Sequence, residues 1–291
     1  MKTATALGLF DGVHRGHREV LGACLSYAGE KGLSPAVFTF DTGTVTTKGK
    51  DFAPIYPESI KRMLIQKAGI EAVHSEDFSA VKDLSPEEFA DIYLVKKLDA
   101  AAVFCGKDFC FGKSAAGNTE TLGLLCRERG IDLHVVEDVM QSGRKVSSTR
   151  IRELIREGNI KSADTLLGES YILRGEVVHG RHLGRTQGYP TANIFLEKGT
   201  LFPKFGVYAA SCELDGRTLY GAANIGVKPT VGSDAALCEI NFFDYDGDLY
   251  GRVLEIRLID FVRPEMRFSG VDELFERIAY DTKFIHKLIK G

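Results

Sequence analysis

The sequence has no run of about 18 apolar residues, so it predicts no membrane span. Its first residues, Met1-Lys2-Thr3-Ala4-Thr5, lack the apolar stretch of a secretory signal. Neither charge sign dominates: 37 Lys and Arg stand against 40 Asp and Glu, a formal net charge of −3. Such a chain has no global basic field, so no nucleic-acid partner is expected. The six cysteines (Cys24, Cys105, Cys110, Cys126, Cys212, Cys238) include no CxxC pair. Most lie in apolar runs, which predicts buried, reduced thiols in a cytoplasmic protein. Histidine and cysteine do not interleave at ligand spacing, which argues against zinc. There is no Walker P-loop, no internal repeat and no low-complexity tract. What is present is a 291-residue chain, 44% hydrophobic, long enough for two domains with real cores.

The first half alternates strand and helix patterns. Thr5 to Phe10 reads as a strand, and His17 to Lys31 as a helix with Val20, Leu21, Cys24, Leu25 and Ala28 on one stripe. Gly32 is its stop. Further strands are expected at Ala36 to Phe40, Ala101 to Cys105 and Leu133 to Val136, with helices around Ile60 to Leu64 and over Thr119 to Arg129. Ser85-Pro86-Glu87-Glu88 is a capping box opening a helix that should turn Phe89, Ile92 and Tyr93 inward. This alternation predicts an α/β domain with a parallel sheet, its ligands beyond the carboxyl ends of the strands. After a helical stretch near Lys161 to Leu167 the pattern changes to period two, as in Tyr208 to Leu214 and Leu254 to Leu258. Asp215-Gly216 and Asp246-Gly247 read as hairpin turns. A closed antiparallel barrel is expected, followed by a helix carrying Val271, Leu274, Phe275 and Ile278. The boundary is placed near Gly168 to Tyr171, giving domains 1–168 and 169–291.

In "FDGVHRGH", Phe10 to His17, Gly12 and Gly16 permit close backbone approach at a strand-to-helix turn. A helix starting near His17 would aim its amides and positive dipole end at that turn, which makes a phosphate site. His14 and His17 add two donors, and Gly16 lets their rings converge. Preset donors of this kind stabilise charge building on a phosphoryl group. Downstream, "SSTRIR" (Ser147 to Arg152) opens another helix. Ser148 or Thr149 suits an N-cap, and with Arg152 the same hydroxyls suit a triphosphate. In the second half, Thr191 and Asn193 are two apart and would share a strand face, suited to Mg²⁺ on nucleotide phosphates. Glu239 and Asn241 form a similar pair, and pattern alone leaves Glu239 open to a plain solvent-facing role.

Taken together, "GLFDGVHRGH" and "SSTRIR" resemble the HxGH nucleotidyltransferases, a Rossmann-like superfamily. More narrowly the chain resembles the FMN adenylyltransferase module of bacterial bifunctional riboflavin kinase/FAD synthetases, a likeness shared by "LSPEEFADIYLVKKL" and "GKDFCFGKSAAG". The resemblance implies that His14 and His17 contact ATP phosphates, with Gly12, Gly16, Ser148, Thr149 and Arg152 in the same site. It puts Asp108, Phe109 and Phe111 near the flavin, although both phenylalanines also read as core. "GYPTANI", "FGVYAA", "NIGVKPT", "DGDLYG" and "FVRPEMRF" are similar to riboflavin kinase. That likeness implies Glu239 as base for the ribityl hydroxyl, Thr191 and Asn193 on Mg²⁺ and ATP phosphates, and Gly184 in ATP binding. The implied activity is riboflavin to FMN to FAD, with ATP and Mg²⁺. Two departures stand out. The family's Pro-His-Pro is Thr42-Gly43-Thr44 here, and the histidine of its E-x-H segment is Asn241. The first leaves as an alternative a riboflavin kinase with an impaired adenylyltransferase half; a second alternative is a non-catalytic flavin-binding or regulatory protein.

Overall fold

The computed structural model describes residues 1–45, 52–179, 191–227 and 236–290. They form two compact units, Met1–Ser148 and Thr149–Gly291.

The first unit is built on a five-stranded parallel sheet. Its strands are β1 (Thr3–Leu7), β2 (Ser34–Phe40), β3 (Ala72–Glu76), β4 (Ala100–Gly106) and β5 (Asp132–Val136), in the order β3-β2-β1-β4-β5. The order reverses at β1, so a ligand crevice belongs at the carboxyl end of β1. Helix α1 (Arg15–Lys31) buries Val20, Leu21, Cys24 and Ala28, as their spacing predicts. It ends at Gly32, whose φ of 64° is the left-handed cap a glycine accepts without strain. Helix α2 (Glu58–Lys67) precedes the edge strand β3, a half-exposed segment without the alternation that marks a strand in the sequence.

The capping box opens α3 (Pro86–Phe89): Ser85 Oγ accepts from the Glu88 amide at 3.1 Å, and Glu88 Oε2 accepts from the Ser85 amide at 2.8 Å. The helix then continues as a π-helix over Ala90–Lys97. The wider turn changes which residues face the core. Phe89, Ala90, Tyr93 and Leu94 are buried, whereas Ile92 is 40% exposed, contrary to the α-helical expectation. Helix α4 (Thr119–Glu128) leads to β5, and a short hairpin of β6 (Met140–Gln141) and β7 (Arg144–Lys145) follows.

The second unit begins with α5 (Ser148–Glu157), whose first residue still belongs to the first unit, and α6 (Ile160–Leu167). Six strands then close a barrel: β8 (Ile172–Val178), β9 (Ala192–Leu196), β10 (Gly206–Leu214), β11 (Arg217–Val227), β12 (Ala236–Phe242) and β13 (Val253–Pro264). Around the barrel they run β10-β11-β12-β9-β8-β13. Tyr208, Ala210, Cys212, Leu254, Ile256 and Leu258 fill the interior. A Cβ on Gly175 would lie 2.1 Å from the Phe195 carbonyl oxygen, and one on Gly221 2.4 Å from that of Asn241, so closure requires glycine at both places.

Asp215-Gly216 makes the expected tight turn, both φ values being positive (50° and 77°). Asp246-Gly247 does not. It lies between β12 and β13, which are not neighbours in the barrel, so the segment is a crossing connection rather than a hairpin. The chain ends in α7 (Val271–Lys290). Leu274, Phe275 and Ile278 are half-buried, but Val271 in the first turn is 62% exposed. The helix is held instead by buried Asp281, which accepts from Arg263 of β13 at 2.7 Å and from Arg277 at 3.0 Å.

Candidate active sites

Between β1 and α1 the backbone makes a tight turn. Phe10, Gly12 and Val13 all have positive φ (52°, 86° and 42°), and burial of Phe10 and Val13 holds them there. A Cβ on Gly12 would stand 2.7 Å from the Ile55 side chain. The buried Asp11 carboxylate accepts the Ile55 amide at 2.7 Å, and the Asp11 carbonyl accepts Ser148 Oγ at 2.8 Å.

Helix α1 starts at Arg15, earlier than the apolar stripe alone suggests, and His14 is its N-cap. Its Nδ1 accepts the His17 amide at 3.3 Å. The amides of Arg15 and Gly16 belong to the first turn and have no acceptor within the helix, so they face the turn with the positive dipole end. The two imidazoles stack, centroids 3.6 Å apart and planes within 14°, with Phe10 edge-on to His17. Gly16 makes room: a Cβ there would sit 3.3 Å from His14 Cε1. Burial pushes the His14 pKa down to about 4, its backbone hydrogen bond opposing and the charge of Lys145 adding to the shift. His14 is therefore neutral near pH 7. With Nδ1 accepting, its proton sits on Nε2, a donor that carries no net charge.

The other expected residues fall as follows. Ser148 and Thr149 are the first helical residues of α5 rather than its cap, and Arg152 Nη2 donates to Thr149 Oγ1 at 3.3 Å. Asp108, after β4, is paired with Lys145 of β7. Phe111 lies in the core against Phe89, with Phe109 stacked on it at 5.7 Å. Asp108 and the two phenylalanines thus lie within one four-residue segment, Asp108 exposed and Phe111 buried, with exposed Cys110 between the phenylalanines.

In the barrel, cross-strand register sets one row on the outer face: Val178, Asn193, Glu239, Asn224 and Val207 are successive partners on β8, β9, β12, β11 and β10. The neighbours Ile194, Cys238, Ile240, Ala223 and Ile225 are buried inside. Glu239 thus stands half-buried between two asparagines, one of them, Asn193, buried. Asn241 lies two residues further on the same face. Thr191 is exposed just ahead of β9. Asn224 carries no signal in the sequence, because only the register brings it beside Glu239. Gly184 lies outside the described residues. No group of three or more His, Cys, Asp or Glu among the described residues could cage a metal, while Thr191 and Asn193 carry a hydroxyl and an amide oxygen of the kind that could hold Mg²⁺ beside phosphates.

Two family models match: FAD synthetase over residues 1–150 and riboflavin kinase over residues 167–289. The bifunctional riboflavin kinase/FMN adenylyltransferase of Bacillus subtilis is 36% identical over 96% of this chain and 90% of its own length. The Escherichia coli K12 protein of the same name is 34% identical over 94% and 89%. The chain belongs to the bifunctional riboflavin kinase/FMN adenylyltransferase family. A solved Streptococcus pneumoniae structure titled "Macrolide-efflux Protein" has the same fold, with TM-score 0.87 and 31% identity over 98% of this chain and 94% of that one. Among the described residues no helix is long and apolar enough to cross a membrane.

Within the family's pattern, the segment that replaces Pro-His-Pro is an ordered turn. Thr42–Thr44 form one 3₁₀ turn, capped by Asp41 Oδ1 on the Gly43 amide at 2.9 Å. Thr44 Oγ1 donates to the Asp41 carbonyl and accepts the Phe78 amide. Beneath it Lys61 is buried, donating to Thr39 Oγ1 and the Phe40 carbonyl and paired with Glu58 at 2.8 Å. Burial lowers the Lys61 pKa, and the nearby carboxylates of Glu58, Asp11 and Asp41 oppose that shift.

Proposed function

We infer that this chain makes FAD from riboflavin in two ATP-dependent steps. The barrel transfers the γ-phosphoryl group of ATP to the ribityl 5′-hydroxyl, giving FMN. The α/β half joins the FMN phosphate to the α-phosphorus of ATP, giving FAD and releasing pyrophosphate. The match of each half of the chain to one of these two activities carries the reading. We propose the division of labour at residues 1–168 and 169–291.

In the barrel, Glu239 accepts the hydroxyl proton as oxygen bonds to phosphorus. Its place in the Asn193–Glu239–Asn224 row supports this role: flanking amides orient a carboxylate without adding charge. Thr191 and Asn193 would hold Mg²⁺ together with ATP phosphates, and the ion would offset charge on the transferred group. Asn241 replaces the family's histidine with a neutral amide on the same face, which leaves Glu239 as the proton acceptor.

In the α/β half, one oxygen–phosphorus bond forms and one breaks, and no side chain needs to become covalently linked. The Arg15 and Gly16 amides and neutral His14 present donors in advance, where charge develops on the phosphoryl oxygens. His17, Thr149 and Arg152 are proposed as further phosphate ligands, and Asp108 with Phe109 and Phe111 as the flavin side. Five buried thiols, each raised in pKa chiefly by burial, suit a reducing cytoplasm as the place of action.

Incubation with riboflavin, ATP and Mg²⁺, followed by chromatography, should show FMN first and then FAD. FMN without FAD would favour the kinase-only reading, and tight flavin binding with neither product would favour a non-catalytic protein.

A further inference from the structure

Lys145 borders the nucleotidyl-transfer site through Asp108 and His14. Its ammonium lies between two carboxylates: Asp108, and Asp138 at 2.8 Å. These come from separate stretches, Asp108 just after β4 and Asp138 just after β5. Both strands end at the carboxyl edge of the sheet, on the β1 side that carries the phosphate turn. The β6–β7 hairpin that carries Lys145 is tied to that turn. Arg15 of α1 donates to Gln141 Oε1 at 3.2 Å, and the Val146 carbonyl oxygen lies 4.0 Å from where a Cβ on Gly16 would be. The charge of Lys145 also contributes to holding His14 neutral.

The ion pairs are open to competition. Lys145 and Asp108 are 37% and 79% exposed, and solvent-exposed pairs are weak. A phosphate offers greater charge and more acceptor oxygens than a single carboxylate. Adenylyl transfer also requires two anions to meet, the FMN monoester and the triphosphate. Helix amides and a neutral imidazole supply dipoles there, and an ammonium would add a full charge to that of the proposed Arg152.

We propose that Lys145 is a phosphate-binding residue for adenylyl transfer: it leaves Asp108 and Asp138 to pair with a substrate phosphate when one occupies the His14–His17 turn. This rests on the FMN adenylyltransferase reading above. Asp138 is then a competitor for the lysine, and its removal should favour substrate.

The test is steady-state FAD formation, with FMN and ATP varied separately, in the wild type, Lys145→Met, Lys145→Arg and Asp138→Asn. Lys145→Met should raise KM for one phosphorylated substrate by about tenfold or more, with a smaller effect on kcat, and Lys145→Arg should recover most of it. The substrate affected identifies whether the FMN or the ATP phosphate is met. Asp138→Asn should lower that same KM by about threefold. A purely structural ion cluster predicts the opposite sign, since either loss would then impair the enzyme alike. Unchanged KM values in Lys145→Met, or a raised KM in Asp138→Asn, would overturn the proposal. Riboflavin phosphorylation by the same preparations reports whether each chain is folded. Should Lys145→Met prove unfolded, Asp138→Asn decides alone: a lowered KM supports the proposal, and an unchanged or raised one overturns it. A wild type that makes no FAD from FMN would instead fail the parent reading, before any variant is compared.

Discussion

His14 combines three properties in one ring. It caps α1 through Nδ1, it stacks on His17, and burial keeps it neutral. Each has a measurable consequence. His14→Ala removes an oriented donor and should slow FAD formation by about 10²-fold or more, read as the rate from FMN and ATP. Its titration also links to stability. The folded pKa of about 4 lies below the ordinary 6.5, so between these values the unfolded chain binds the extra proton. Stability is therefore lost as pH falls from 6.5 towards 4. Urea unfolding at pH 7 and pH 5 should show about 2 kcal/mol more loss in the wild type than in His14→Gln. Equal losses would mean that His14 is not buried neutral. The convergence of His14 and His17 was legible in the sequence, because an H-x-G-H spacing after a first strand leaves little else for the glycine to do. Lys145 was not legible, since its neighbours Asp108 and His14 are distant in sequence and only the sheet order gathers them.

Single elements carry their own ledger of polar groups. On α6, Asp164 accepts the Tyr171 amide at 2.8 Å, and burial raises its pKa to about 7, with that amide opposing and Glu169 adding to the rise. The folded state keeps this proton while the unfolded chain releases it near pH 4, so stability falls as pH rises from about 4 to 7. Asp164→Asn keeps an acceptor for Tyr171 and should stabilise the protein at pH 8 by about 2–4 kcal/mol, with the gain vanishing near pH 4 by thermal unfolding. On α7, Asp281→Ala would leave the largely buried Arg263 guanidinium without its carboxylate, and a loss of about 3 kcal/mol or more is expected in urea unfolding. Elements whose pattern is strong in sequence, such as α1 and β13, appear at the expected stretches, α1 starting two residues earlier and β13 running on to Pro264. The failures are local and physical: a π-helical turn rotates Ile92 outwards, β3 lacks an apolar face, and Asp246-Gly247 has turn chemistry without adjacent strands.

At the scale of the whole chain, the β1–α1 turn lies in the α/β unit, within the residues matched by the FAD synthetase model, and the Asn193–Glu239–Asn224 row lies in the barrel, within those matched by the riboflavin kinase model. Fold class was legible because the hydrophobic period changes from alternating strands and helices to continuous period two. The Asn193–Glu239–Asn224 row was only half legible, because residue spacing gives faces within a strand but not register between strands. Separate sites make the activities separable. The most direct test pairs Glu239→Gln with His14→Ala, each supplied with riboflavin, ATP and Mg²⁺, alone and mixed in one tube. Glu239→Gln alone should form no FMN from riboflavin yet convert added FMN to FAD at the wild-type rate. His14→Ala alone should accumulate FMN. The mixture should restore FAD through FMN released from one variant and taken up by the other. Loss of FMN adenylylation in folded Glu239→Gln, or wild-type FAD formation by His14→Ala, would contradict the account.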